Sequence, residues 1–128
     1  MNQHQRANAF VQLGIAIQSL SESEKQELFW RAENKNSWFT AESCQAALDG
    51  IVSMLAADKL QKWLQEYSNL DTLAPKSIGI MMAGNIPAVG FHDLMSVLIS
   101  GHRACVKLSS ADEILMKWIV KTLIEIEP

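Results

Sequence analysis

A chain of 128 residues has single-domain length, and with 48% hydrophobic residues it can close a core, which excludes a disordered segment. Its 11 basic and 14 acidic residues give a net charge of −3 with the signs mixed, so no basic footprint argues for nucleic acid or an anionic membrane surface. No apolar run approaches bilayer length, which predicts no membrane span, and the opening MNQHQRANAF lacks the charged-then-apolar layout of a secretory signal. Cys44 and Cys105 are isolated thiols, a usage that fits a reducing cytoplasm better than a disulfide framework.

Phe10, Leu13, Ile17 and Leu20 recur at three and four residues and predict an amphipathic helix over about 5–20. Ser21-Glu22-Ser23-Glu24 is a capping-box pattern: a hydroxyl takes the third N–H of a helix while the glutamate reaches back to the cap. The second helix, carrying Leu28, Phe29 and Ala32, ends at Asn34–Asn36, where short amides compete for the backbone. Thr40 caps a third, with Cys44, Ala47, Leu48, Ile51 and Leu55 as its stripe. Leu60, Trp63, Leu64 and Tyr67 mark a fourth. Pro75 then pushes Ala74 toward an extended backbone. Residues 1–75 thus read as a helical region, and His4 falls in its frayed start.

From Ser77 the pattern changes. Ser77–Ala83 is a continuous apolar run, as in a strand buried on both faces. Gly84-Asn85-Ile86-Pro87 breaks it: Gly permits a tight turn, Asn caps a helix and Pro suits the first helical turn. An apolar helix runs to Ser100, Gly101 stops it, and Ala104–Leu108 is a second short buried strand. Strand, crossover helix and strand make a parallel βαβ unit. Ser109 or Ser110 caps a last helix with Leu115, Trp118, Ile119 and Leu123 on one face. The fold class is therefore α/β: a helical region over 1–75, then an incomplete sheet within 76–128. Two parallel strands neither bury their faces nor protect their edges, which predicts the front piece of a larger α/β protein. In isolation the same edges predict a homodimer.

The motifs in Ala83-Gly84-Asn85-Ile86-Pro87-Ala88-Val89-Gly90-Phe91-His92-Asp93, in Ser100-Gly101-His102 and in Val106-Lys107-Leu108-Ser109-Ser110 resemble the bacterial LuxC-like acyl-CoA reductases, relatives of the aldehyde dehydrogenase superfamily. The resemblance is best over Ser77–Ser110, and the helical lead-in suits the family's opening. It implies that 76–128 is the first βαβ unit of a Rossmann-like cofactor domain. It implies reduction of a fatty acyl-CoA to an aldehyde with NADPH, through a thioester on a catalytic cysteine. Asn85 matches the asparagine whose side-chain amide donates to the thioester oxygen. Lys107 matches the lysine that reaches the adenosine ribose, with Ser109 and Ser110 as further cofactor contacts. At Ser110 the superfamily often has a glutamate; a serine there does not repel a 2′-phosphate, which leans toward NADPH over NADH.

No glycine fingerprint for a dinucleotide and no phosphate loop is present. Neither cysteine fits the family's nucleophile, which lies downstream of the KLSS region. Cys44 falls on a helical stripe and Cys105 inside the second strand, so both read as buried, inert core thiols. The 128 residues alone are thus expected to be inactive. His92 and Asp93 are neighbours on a helix, about a hundred degrees apart, and do not form a base with its orienter; Asp93 suits the helix dipole, and His92 is a candidate for the crevice. His102 and Arg103 satisfy the preceding helix's carbonyls or face solvent. No set of side chains has metal-ligand spacing. Trp30, Trp38, Trp63 and Trp118 read as packing anchors. The rival reading is a non-enzymatic, self-associating helical interaction module; a third is a free-standing nucleotide-binding regulator.

Overall fold

Three of the first helices open with the same chemistry. In the computed structural model, which describes residues 1–128, Asn2 caps α1 (Gln3–Gln18), Ser21 caps α2 (Glu22–Lys35) and Thr40 caps α3 (Ala41–Met54). Each side chain accepts the backbone N–H three residues on, and at Asn2 and Ser21 the side chains of Gln5 and Glu24 return the bond. His4 therefore lies inside a capped helix rather than a frayed end. After α4 (Ala57–Leu64) a single 3-10 turn at Leu70–Thr72 leads to β1 (Ser77–Met81). Then come α5 (Phe91–Ile99), β2 (Arg103–Lys107), a 3-10 turn at Ser110–Asp112 and α6 (Glu113–Ile126).

The molecule is mixed α/β: six helices and one sheet of two parallel strands, with Ser77 opposite Arg103 and Met81 opposite Lys107. Helix α1 is the hub, packed on α3, α4, α5 and α6. One continuous core runs from Phe10 and Leu13 through Leu48 and Leu55 to Phe91, Met95, Leu115 and Ile119, joining the helical region to the βαβ unit. Arg6 reinforces the join: Nε donates to the Ile99 carbonyl at 2.8 Å, and the guanidinium pairs with Asp71 at 3.1 Å.

The helices cover one face of the sheet only. Ile80 is buried, and Ala104 and Val106 pack beside it. On the other face Ser77, Gly79 and Met81 stand beside Arg103, Cys105 and Lys107, and all six are exposed. The apolar run through β1 is thus not buried on both faces, and Cys105 is not a core thiol. The strand's alternation puts every second residue on the uncovered side.

Gly101 ends α5 as its position predicts, with a φ of +88°. Its N–H bonds the Leu98 carbonyl and that of His102 bonds Val97, a Schellman motif. With those carbonyls and that of Ile99 satisfied, His102 does something else: its Nδ1 accepts the Lys76 N–H at 3.2 Å. Arg103 starts β2 on the open face. Two tryptophans depart from expectation. Trp30 is 66% exposed, and Trp38, in the turn between α2 and α3, is 85% exposed; Trp63 and Trp118 alone pack against the core. No helix is long and apolar enough to cross a membrane.

Candidate functional site

Both motif-bearing segments leave the sheet at its carboxyl end. The Met82 N–H extends the ladder by bonding the Lys107 carbonyl at 3.0 Å, after which the strands give way to turns. The turns then touch. A Cβ built on Gly84 would lie 2.1 Å from the Ser109 Oγ and 2.6 Å from its Cβ, so only glycine lets the first segment pass the second this closely.

Asn85 is exposed, but it is not the cap of α5. That helix begins at Phe91 behind Gly90, with no side-chain cap. Residues between Asn85 and Gly90 are spent on consecutive turns: Val89 N–H bonds the Ile86 carbonyl at 3.2 Å and Phe91 N–H bonds Ala88 at 3.1 Å. Ala88 has a φ of 55°, a left-handed conformation that costs a non-glycine residue about 1–2 kcal/mol. Pro87 sits buried in these turns instead of opening the helix.

Lys107 is exposed at the end of β2, on the open face of the sheet, and Ser110 is exposed at the start of the 3-10 turn. Ser109 is different. It is half-buried against Gly84, and its Oγ accepts the Ala111 N–H at 3.3 Å. It caps the 3-10 turn, while α6 starts at Glu113 with no side-chain cap. The cation and the Ser110 hydroxyl are free to meet an anion; the Ser109 oxygen accepts from Ala111 and keeps its own O–H to donate.

His92 is exposed on α5, its ring 6.5 Å from that of Trp63, so it leans on α4. Cys44 is fully buried, Sγ donating to the Phe39 carbonyl at 3.7 Å, and burial pushes its thiol up to about 11.

No family model, curated protein or solved structure matches this chain.

One residue at this end of the fold escapes sequence reading. Asp112, the last residue of the 3-10 turn, is 3% exposed, the one buried charged side chain in the molecule. Neither carboxylate oxygen has a partner of good hydrogen-bond geometry, and the donors that act on it are the backbone N–H groups of Ala88 and Val89. Burial outweighs them and raises the carboxyl from 3.8 to about 6. In the sequence, an aspartate before an apolar helix reads as an ordinary first-turn acid, and nothing local marks it as buried.

An apolar groove of about 740 Å³ lies between α5, β2 and α6, lined by Leu94, Leu98, Val106, Leu108, Val120 and Ile124. No cluster of three His, Cys, Asp or Glu side chains is arranged to hold a metal ion.

Proposed function

We propose that this chain is the N-terminal part of a LuxC-like acyl-CoA reductase, a helical lead-in followed by the first βαβ of a Rossmann-like cofactor domain. The observation that carries the reading is the meeting of the two motif segments at the carboxyl end of adjacent parallel strands, where Gly84 lies on Ser109. Open α/β sheets place their ligands there.

Reduction of an acyl thioester to an aldehyde adds hydride at the carbonyl carbon and expels the thiolate. Negative charge gathers on the carbonyl oxygen in between, and the exposed Asn85 amide is the donor for it. NADPH, when bound, supplies the hydride. Its anionic adenosine end suits Lys107 and Ser110, whose cation and hydroxyl are both free. Ser109 closes the turn through its oxygen and has its O–H left to donate to the cofactor. The resemblance puts the nucleophilic cysteine downstream of the KLSS region; Cys44 is sealed in the core, and Cys105, though exposed, precedes that region.

Acyl-CoA-dependent oxidation of NADPH by the complete gene product is the test. Asn85→Ala lowers kcat by about 100-fold with little change in NADPH affinity. Lys107→Ala weakens NADPH binding more than turnover. Full activity in the Asn85 variant removes that residue from the reaction, and no acyl-CoA-dependent activity in the wild type removes the enzyme reading.

A second reading, a self-associating interaction module, is favoured by the exposed Trp30 and Trp38 and by a sheet whose outer edges are both unpaired. Sedimentation and the acyl-CoA assay of the complete gene product together test it: a dimer with no acyl-CoA-dependent NADPH oxidation supports the reading, and a monomer or an active enzyme counts against it.

A further inference from the structure

Hydrogen-bond phase decides what each edge of the sheet offers. The Arg103 N–H donates to the Lys76 carbonyl at 2.8 Å, and the Met82 N–H donates to that of Lys107 at 3.0 Å. With Ser77 opposite Arg103 and Met81 opposite Lys107, the backbone groups of Ile78 and Ile80 therefore face β2. Those of Ser77, Gly79 and Met81 face outward, and no other segment of the chain takes them up. On β2 the outward groups are those of Ala104 and Val106.

Two differences separate the edges. β2 carries Arg103 and Lys107, charges of the kind that keep an edge from pairing, whereas β1 carries none over Ser77–Met81. A twofold axis at the middle of β2, at Cys105, would set Arg103 directly against Lys107 of the second copy. On β1, Ile78-Gly79-Ile80 reads the same in both directions about Gly79. A twofold contact demands a patch that complements itself, and a strand that mirrors itself about an outward-facing residue meets that demand. Antiparallel about this point, Gly79 exchanges both bonds with its counterpart, and Ser77 exchanges both with Met81 of the second copy. Ile78, only half-buried within one copy, then stands against Ile80 of the second copy on the helix-covered side.

We infer that the outer edge of β1 is the self-association surface of this chain: a second copy adds its own β1 antiparallel about Gly79, making one continuous four-stranded sheet. This deepens the self-association reading and rests on it; the reductase chemistry does not enter.

Cross-linking tests the pairing. Gly79→Cys, in a Cys105→Ser background, has open space, with nothing within 4 Å of the new Cβ. In the dimer its Cα lies about 5.5 Å from its counterpart, within reach of a disulfide. Mild oxidation therefore gives a linked dimer on a non-reducing gel. Ser77→Cys in the same background, whose counterpart lies roughly 14 Å away, gives a monomer. Ser77→Glu/Met81→Glu, at two exposed positions, sets like charges opposite each other and weakens association about tenfold by sedimentation. Ser77→Lys/Met81→Glu opposes unlike charges and restores it. The wild-type chain needs no variant: Cys105 is paired with Gly79, so β1 contact keeps the two Cys105 residues about 14 Å apart and unlinked. A wild-type dimer joined through Cys105 points to β2 and overturns the inference. So does a sedimenting dimer in which Gly79→Cys fails to link, or links no better than Ser77→Cys, and either result leaves the self-association reading standing. A monomer throughout removes both.

Discussion

Leu13 of α1 and Met81 of β1 both come from apolar stretches, yet the first has no exposed surface and the second is 83% exposed. The helices before Pro75 are covered: α1 buries one stripe against α3 and α4 on its own side of Pro75 and α5 and α6 beyond it, and its first turn is capped by Asn2. The βαβ unit is closed on one side alone, with a bare sheet face and two unpaired edges. A helix satisfies its backbone internally and needs only a stripe covered, whereas a strand needs neighbours on both edges and a layer on each face. The helices are therefore covered within these residues, whereas one face and both edges of the sheet stay open.

The contrast sets an order of effects, measurable by urea unfolding. Leu13→Ala opens a cavity at the hub and costs about 3–4 kcal/mol. Next comes pH. The folded-state value of Asp112, about 6, lies above the unfolded 3.8, so the stability of its neutral form is fully present below about 3.8 and is lost as pH rises through 6. The shift amounts to at most roughly 3 kcal/mol, with the folded state favoured on the acid side. Asp112→Asn flattens that dependence; a curve unchanged by the variant shows that Asp112 is not its source. Gly84→Ala drives a methyl into Ser109 and costs about 2 kcal/mol, a loss that Ser109→Gly in the same chain partly restores. Ser21→Ala removes the cap of α2 and costs about 1 kcal/mol. Gly79→Ala, with nothing within 4 Å of the new methyl, changes stability by less than about 0.5 kcal/mol. A large loss at Gly79 would mean that the open face is already covered in solution, and would break the comparison.

What the sequence made legible was what neighbours in the chain decide. The Ser21 capping box, the Thr40 cap, the stripe through Cys44, Leu48 and Ile51, and the Gly101 stop depend on residues a turn or two apart, and each stands in the structure. The coarse α/β order and the parallel pairing were legible too, because one helix between two apolar runs permits little else. Four residues depart from expectation for one cause. Cys105 and Met81 read as parts of buried strands, and Trp30 and Trp38 as packing anchors, because hydrophobicity says that a residue gains from burial but not that a covering layer exists. Asn85 reads as a cap because Asn shortly before Pro ordinarily opens a helix; the consecutive turns through the left-handed Ala88 instead delay the helix to Phe91. Asp112 is illegible because the residues around it include Ala32 and Lys35 of α2 and Phe39, which lie far upstream in the chain.

The uneven fates of the two thiols carry a practical consequence. Cys44 is sealed and protonated, while Cys105 stands in the middle of the bare sheet face. A maleimide dye added to the native chain will therefore attach once, at Cys105, and intact-mass measurement will read a single adduct. The unmodified protein thus comes with a fluorescent reporter position built into the surface of its sheet, and any layer that settles there will quench or shield it.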